Sequence, residues 1–423
     1  MLSRSTLIYS EEPNMKNMST ESLLQTYFIE RNSSKNTQRI YRQVVKIFEE
    51  HTGKTLPEIL EIAEVEEQKV KWTKSTLYYF LISFRKYLYD NLQPSTAQMK
   101  FTVIKTIIKY FDITVLPLKS FSTKKYHKVE LTPEDIITQD ELQTCVNVKN
   151  PLVKAIATFM SSSGCSLIDT FNLTIYDYVY STREYHNLPC DDSKYIHEIL
   201  DVLNSRKDIV PVFEKLRRQK TGVQYTTFCS PEAVISINNY LIYREKKEHE
   251  SMGRYNKKHP DNPKFYPGLQ LTDQLFKGSH GSIERMFRQV NEAVGLGKAG
   301  NYVKFAPHMM RRYHTSQLYA AGLSEYEINL LQGRKTHDVI HTSYLRVKVE
   351  DLKEKYIKAL PFLVVDDVYR VKTELEVVRD ENKELKEANL KYKEVVDSID
   401  ERIESKIQEA MDSKDDVFDD LFS

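Results

Sequence analysis

The sequence predicts a mainly α protein with a small β-hairpin or sheet in its second half, an α+β class. Three observations predict it. Apolar residues recur at i, i+3 and i+4 in successive stretches between residues 19 and 111. Two β-rich stretches flank a Lys220-Thr221-Gly222 turn signal. Residues 364–423 repeat apolar positions at alternating spacings of four and three.

Each element follows from its own pattern. Ser19–Glu30 sets Leu23, Leu24, Tyr27 and Phe28 on one face. Ser34–Thr52 does the same with Ile40, Tyr41, Val44, Val45, Ile47 and Phe48, and Gly53 stops it. Pro57–Ala63 reads as a short helical turn. Ser75–Asn91 and Ser95–Phe111 are amphipathic helices, the second introduced by Pro94. Residues 113–131 lack periodicity and carry Lys119, Lys124, Lys125, His127 and Lys128. That connector is either a solvated linker or a strip that follows a phosphate backbone.

From Thr132 the pattern mixes. Thr138–Val148 and Leu152–Ser162 read as helices. Residues 208–231 read as two short strands around Arg217, Arg218 and Lys220. Glu232–Glu245 is helical. Lys246–Thr272, with Gly253, Pro260, Pro263 and Pro267, reads as a loop. Gly281–Val294, His308–Ala321 and Glu325–Gln332 read as helices. In the tail, Val371, Leu375, Val378, Asn382, Leu385, Asn389, Tyr392, Val396, Ile399 and Ile403 form about five heptads. Either the tail self-associates, the favoured reading, or it is one acidic helix folded back on the body.

The expected organisation is a flexible N-terminus (1–18), a helical domain (19–112), the basic connector (113–131), a mixed domain (132–363) and an acidic coiled-coil tail (364–423). The chain has 423 residues, 40% apolar and 29% charged, which suits a globular protein. No apolar run reaches the length of a membrane span, and the first residues lack a signal-peptide core. A cytoplasmic protein without a membrane partner is expected. Cys145, Cys165, Cys190 and Cys229 are scattered with no CxxC pair, so reduced thiols are expected and a zinc site is not. The net charge of +1 divides into +6 over residues 1–130, +4 over 131–363 and −9 over 364–423. Basic globular parts suit a polyanion.

The chemistry concentrates in Pro307-His308-Met-Met-Arg311, then Leu330-Leu-Gln-Gly333-Arg334, then Tyr344-Leu345. His308 and Arg311 lie three apart on one helix face, so both donors reach one phosphate. A tyrosine later in the chain can be brought to the same point. Its phenol needs cations to become a useful nucleophile.

This set resembles the tyrosine recombinase (phage integrase) family, nearest to divergent archaeal integrase-like members. Pro307-His308-x-x-Arg311 resembles that family's Pro-His-x-Leu-Arg box. Gly322 and Gly333 fall where its helix end and Leu-Leu-Gly-His box place them. Tyr344 stands at the nucleophile position, one residue further along than usual, and Lys220 resembles the hairpin lysine. Ser163-Gly164-Cys165-Ser166-Leu167-Ile168-Asp169 resembles the Thr-Gly-Leu-Arg-x-x-Glu box, with Ser166 where the family has arginine. Arg334 stands where the family has a second histidine or tryptophan, with Lys335 and His337 near it. The similarity covers about residues 20–363, and the N-terminal helices resemble the core-binding domain.

The resemblance implies a site-specific DNA recombinase or integrase that cleaves and rejoins DNA through a 3′-phosphotyrosyl intermediate. Tyr344 is then the nucleophile, His308 and Arg311 hold phosphate oxygens and Lys220 protonates the leaving 5′-oxygen. Arg334 is a candidate replacement cation. Lys119, Lys124, Lys125, Lys128, Arg217 and Arg218 are candidate DNA contacts. It implies double-stranded DNA as partner, a tetramer assembled on DNA and no cofactor. The alternative is a catalytically impaired DNA-binding or architectural protein on the same fold. His314 is expected on an ordinary helix face, and Asp169 as a structural partner for a nearby cation.

Overall fold

The computed structural model describes residues 18–126, 132–300, 302–335 and 348–419. Lys128, His337, Tyr344, Leu345 and the stretch 1–17 therefore lie outside the described residues. The chain divides into two compact units, Met1–Glu130 and Leu131–Ser423.

The first unit contains five α-helices among the described residues. In α1 (Thr20–Glu30) and α2 (Lys35–Thr52) the capping serines Ser19 and Ser34 accept the free N–H groups of the first turn. Gly53 ends α2 at φ 69°, a conformation that only glycine adopts without strain. α3 (Leu56–Glu67) runs a full turn past the expected Ala63. Its extra turn is held from outside: Glu66 accepts from the Thr76 amide and hydroxyl, and Glu67 from the Thr114 amide. Pattern reading misses such distant partners. α4 (Thr76–Asn91) and α5 (Pro94–Tyr110) complete the bundle around Phe48, Leu56, Leu81, Phe84, Leu88, Ile107 and Ile108.

The connector is no solvated linker over its described part. Ile113 is buried, and Val115, Leu118, Phe121 and Tyr126 pack on the same core. Phe121 and Tyr126 stack at 5.9 Å beside Tyr89, and the Tyr126 hydroxyl donates to Asp90.

The second unit is organised on α6 (Gln139–Val146) and α7 (Pro151–Ser163), the latter buried almost throughout. Two short helices follow, α8 (Leu167–Phe171) and α9 (Ile175–Ser181), then α10 (Ile196–Ser205). Strands β1 (Val212–Arg217) and β2 (Gln224–Phe228) pair antiparallel. The register slips between Phe213 and Leu216, where Lys215 takes φ 55°. This bulge keeps Phe213 and Tyr225 directed into the core.

Next comes α11 (Pro231–Lys258), which corrects the expected loop: residues 246–258 continue the helix. Its polar half is tied by ion pairs instead of apolar spacing. Arg244 reaches Glu248 and Asp273, Lys277 reaches Glu248, and Lys247 reaches Glu250. α12 (His280–Val294), the two-residue strands β3 (Lys298–Ala299) and β4 (Tyr302–Val303), α13 (Pro307–Ala320) and α14 (Glu325–Leu331) follow. α7 packs against both α11 and α13. α15 (Val349–Leu363) closes a second cluster with Phe228, Leu318, Leu331 and Tyr356. The fold is thus mainly α with two small antiparallel sheets among the described residues.

α16 (Asp367–Asp419) is one continuous helix. It does not lie back on the body: from Val371 to Lys406 the described side chains are exposed, Ala388 being half-buried. All four cysteines are free, and no helix among the described residues is long and apolar enough to cross a membrane.

Candidate anion-binding site

The site forms where four segments meet: the end of α7, the β1–β2 turn, the start of α13 and the end of α14. Pro307 opens α13, where its missing N–H costs nothing. His308 and Arg311 follow on the first turn. Gly164 ends α7 at φ 65°, which turns its carbonyl toward α13.

Arg311 is 5% exposed. Its Nη1 donates to the Gly164 carbonyl at 2.5 Å and its Nη2 to the Gln332 carbonyl at 2.6 Å. Neither acceptor carries a net charge. Arg334 donates to the Thr315 hydroxyl at 3.2 Å, and Arg218 donates to the Gly333 carbonyl at 3.2 Å. No carboxylate forms an ion pair with Arg218, Arg311 or Arg334 among the described residues.

The electrostatics record this crowding. Burial pushes the Arg311 pKa down to about 10, and the charges of Arg218 and Arg334 press the same way. Burial and then Arg218 lower that of Arg334, against a smaller opposing effect of Glu325. His308 keeps an exposed edge while much of its ring lies within the protein. That burial, with the Arg312, Arg311 and Arg334 charges, lowers its pKa. The ring is therefore neutral at pH 7, able to accept from Arg312 Nε at 3.4 Å and to donate from its other nitrogen.

Ser166 does not replace the arginine expected in its box. It caps α8, accepting from the Asp169 amide and donating to the Asp169 carboxylate at 2.6 Å. Asp169 in turn accepts the Gln219 amide at 3.1 Å. Its hydrogen-bonded partners are a hydroxyl and an amide, which corrects the expectation of a cation. The bond pins the turn bearing Lys220. That turn closes through Gly222 N–H to the Arg218 carbonyl, with Gly222 at φ 69°. Lys220 is exposed at its tip, and no hydrogen bond joins it to the arginines among the described residues. Arg217 is exposed, whereas Arg218 is half-buried and belongs to the cluster.

Lys119, Lys124 and Lys125 are exposed on the first unit. There the Lys119 carbonyl accepts from Arg85 at 3.2 Å, and Lys125 lies over the Tyr126 ring.

His314 overturns its expected place on a helix face. It is fully buried, and burial with the Arg311 and Arg334 charges lowers its pKa to about 3. Gln332 Nε2 donates to Thr315 Oγ1 at 3.0 Å and to the Arg311 carbonyl at 3.2 Å, and lies 2.9 Å from His314 Nδ1. Sequence reasoning passed over Gln332, Thr315 and Arg312. The one available signal was the helical spacing of His314 and Thr315 from Arg311. Two glycines let these groups close in. A Cβ on Gly164 would meet His314 Nδ1 at 2.6 Å, and one on Gly333 would meet the Tyr225 ring at 2.6 Å.

Among the described residues, buried Arg311 and half-buried Arg218 and Arg334 gather without an ion-paired carboxylate, an arrangement suited to an anion. Arg311 uses two of its five N–H donors on carbonyls, and the others remain for a ligand. Planar donors converging with a neutral imidazole suit the tetrahedral oxygens of a phosphate.

No protein-family model matches the sequence, and no curated protein matches it. Solved structures do show similarity. An XerA recombinase is 16% identical over 80% of this chain and 98% of its own, with a TM-score of 0.31. The Tn1549 transposon integrase in complex with transposon right end DNA is 12% identical over 80% of this chain and 98% of its own, with a TM-score of 0.42. A lambda integrase dimer bound to a COC′ core site is 13% identical over 81% of this chain and 85% of its own, with a TM-score of 0.35.

Proposed function

We propose that this chain is a DNA strand transferase of the tyrosine-recombinase kind, cleaving and rejoining duplex DNA through a covalent phosphotyrosine. The observation that carries the reading is the gathering of Arg218 and Arg334 about Arg311, with His308 beside Arg311, Arg312 and Arg334 and no carboxylate ion-paired to Arg218, Arg311 or Arg334 among the described residues. The ordered boxes of the sequence support it.

In this reading Arg311 and His308 donate to the nonbridging oxygens of the scissile phosphate. Arg218 and Arg334 supply the charge that the first box lacks. Tyr344 releases its phenolic proton to solvent and attacks phosphorus, its oxygen forming the new P–O bond as the P–O5′ bond breaks. Lys220 gives its proton to the departing 5′-oxygen. The phosphotyrosyl ester conserves the bond energy, so a 5′-hydroxyl of another strand reverses the step and releases Tyr344. Donors aimed at developing charge are worth about 10²–10³ each in rate. Tyr225, Tyr313 and Tyr356 are unsuited to the nucleophile's part: each is buried, and burial raises its pKa well above that of a free phenol. Lys119, Lys124, Lys125, Lys128 and Arg217 serve as phosphate contacts along the duplex, where assembly into a tetramer brings strands together.

Ser166 favours a second reading. Its side chain is committed to capping α8, so that box supplies no cation. A protein that holds DNA without cutting it would result if Arg218 and Arg334 do not compensate.

The test is trapping on a nicked suicide duplex carrying the DNA that flanks the gene. A denaturation-resistant protein–DNA band, absent in Tyr344→Phe, is expected. DNA binding without a band would replace the first reading by the second.

A further inference from the structure

Among the described residues the apolar seam of α16 has no partner within the chain. Leu375, Val378, Leu385, Val396, Ile399 and Ile403 are each about half exposed, on a helix whose described side chains beyond Val371 touch little else. Helices in water owe most of their stability to the packing of such a face. The helix runs 53 residues, and its exposed seam from Leu375 to Ile403 spans about 42 Å at 1.5 Å per residue, so it calls for a companion helix of at least that extent.

We propose that this companion is the same helix of a second copy, aligned parallel and in register as a two-stranded coiled coil. The inference is independent of the catalytic reading above. Three features select this occupant and geometry.

The first is the seam's composition. With Leu375 at heptad position a, Asn382 and Asn389 are also at a, while Val378, Leu385, Tyr392 and Ile399 are at d. In a parallel pair each a residue meets its own copy. Only the in-register parallel arrangement sets Asn382 against Asn382 and Asn389 against Asn389, where the amides satisfy each other. An antiparallel pair sets a against d and buries both amides against apolar side chains. Asn382 now satisfies its Nδ2 on the Val378 carbonyl at 2.9 Å, so the amide is free to turn to a partner at little cost.

The second is charge order. Arg379, Lys386 and Lys393 all fall at position e. In sequence, Glu374 and Glu381 stand at position g, five residues before Arg379 and Lys386. Parallel strands match g with the following e of the partner, which is attractive at both places. Antiparallel strands match e with e and put lysine and arginine side by side. The third is oligomer order. Asparagine at a, followed by β-branched Val396 and Ile403 at a, favours two strands over three or four.

The test uses the full chain. Light scattering should give twice the chain mass. Leu385→Lys with Ile399→Lys should give a single chain mass with unchanged near-ultraviolet dichroism of the body. Asn382→Cys, oxidised mildly, should cross-link quantitatively through Cys at 382 in both chains, located by peptide mass. A monomeric parent chain, or a mass of three or four chains, overturns the proposal. So does a dimer that survives both lysines, or an Asn382→Cys dimer that does not cross-link at 382.

Discussion

Arg311 and Gln332 hold each other reciprocally: the guanidinium donates to the Gln332 carbonyl at 2.6 Å, and the Gln332 amide returns to the Arg311 carbonyl at 3.2 Å. The clasp locks the guanidinium of α13 to the end of α14. Gln332→Ala should destabilise the second unit by about 1–3 kcal/mol, the cost of leaving buried polar groups unpaired. Denaturant unfolding monitored by far-ultraviolet dichroism measures this. Gln332→Glu is expected to place a carboxylate beside Arg311 and to weaken DNA binding most at low salt.

Glycine substitutions should separate strain from collision. Gly164, Gly222 and Gly333 all have φ between 59° and 69°. Space around Gly222 is open, whereas Gly164 abuts His314 and Gly333 abuts Tyr225. Gly222→Ala should cost only the roughly 1–2 kcal/mol of a left-handed alanine. Gly164→Ala and Gly333→Ala should each cost measurably more in the same unfolding assay. Equal losses at the three positions would contradict the packing described.

Burial makes His314 a source of acid sensitivity. Its pKa falls from 6.5 to about 3 on folding, so the folded state holds it neutral while the unfolded chain protonates it. The stabilisation is fully present above pH 6.5 and is lost as pH falls toward 3. Between pH 6.5 and 5 the loss should be about 2 kcal/mol. Urea midpoints at these two pH values, compared between the parent and His314→Gln, measure it: the variant should lose that share of the pH dependence.

Cations of the cluster should be countable in salt titrations. Arg218→Gln and Arg334→Gln should each lower the slope of log K against log salt by roughly 1 if each meets a phosphate. Arg217→Gln, exposed and outside the cluster, should leave adduct formation intact even where it reduces affinity. Loss of the covalent adduct in Arg218→Gln with binding retained would identify Arg218 as the cation that replaces the missing first-box arginine.

Much of this was legible in the chain itself. Capping serines, Gly53 and the spacing of apolar residues marked α1, α2, α4 and α5 to within a residue, because each signal is local. The β1–β2 turn announced itself through Lys220-Thr221-Gly222. The second half of α11 did not, because its ion pairs reach residues 273 and 277, which no window of helical length contains. Helices α8, α9, α10 and α15 were passed over: α8 and α9 are too short for periodicity, and all four are fixed mainly by burial. At the site, His308, Arg311 and Arg334 were picked out by their order, and Arg218 only as a candidate DNA contact. That His314 is core, and that Gln332 binds both it and Arg311, depends on Gly164 admitting close approach, a fact of three dimensions.

The arginine cluster also sets the terms on which this fold can be improved. Like charges gathered away from water weaken the folded state, so replacing Arg334 by glutamine should make the second unit harder to unfold while it binds polyanions less well. Stability and capture are opposed at this point of the molecule. Inorganic phosphate or DNA, by occupying the cluster, should relieve the repulsion and raise the melting temperature. A screen for heat resistance alone would thus select against the residues that make the site worth having.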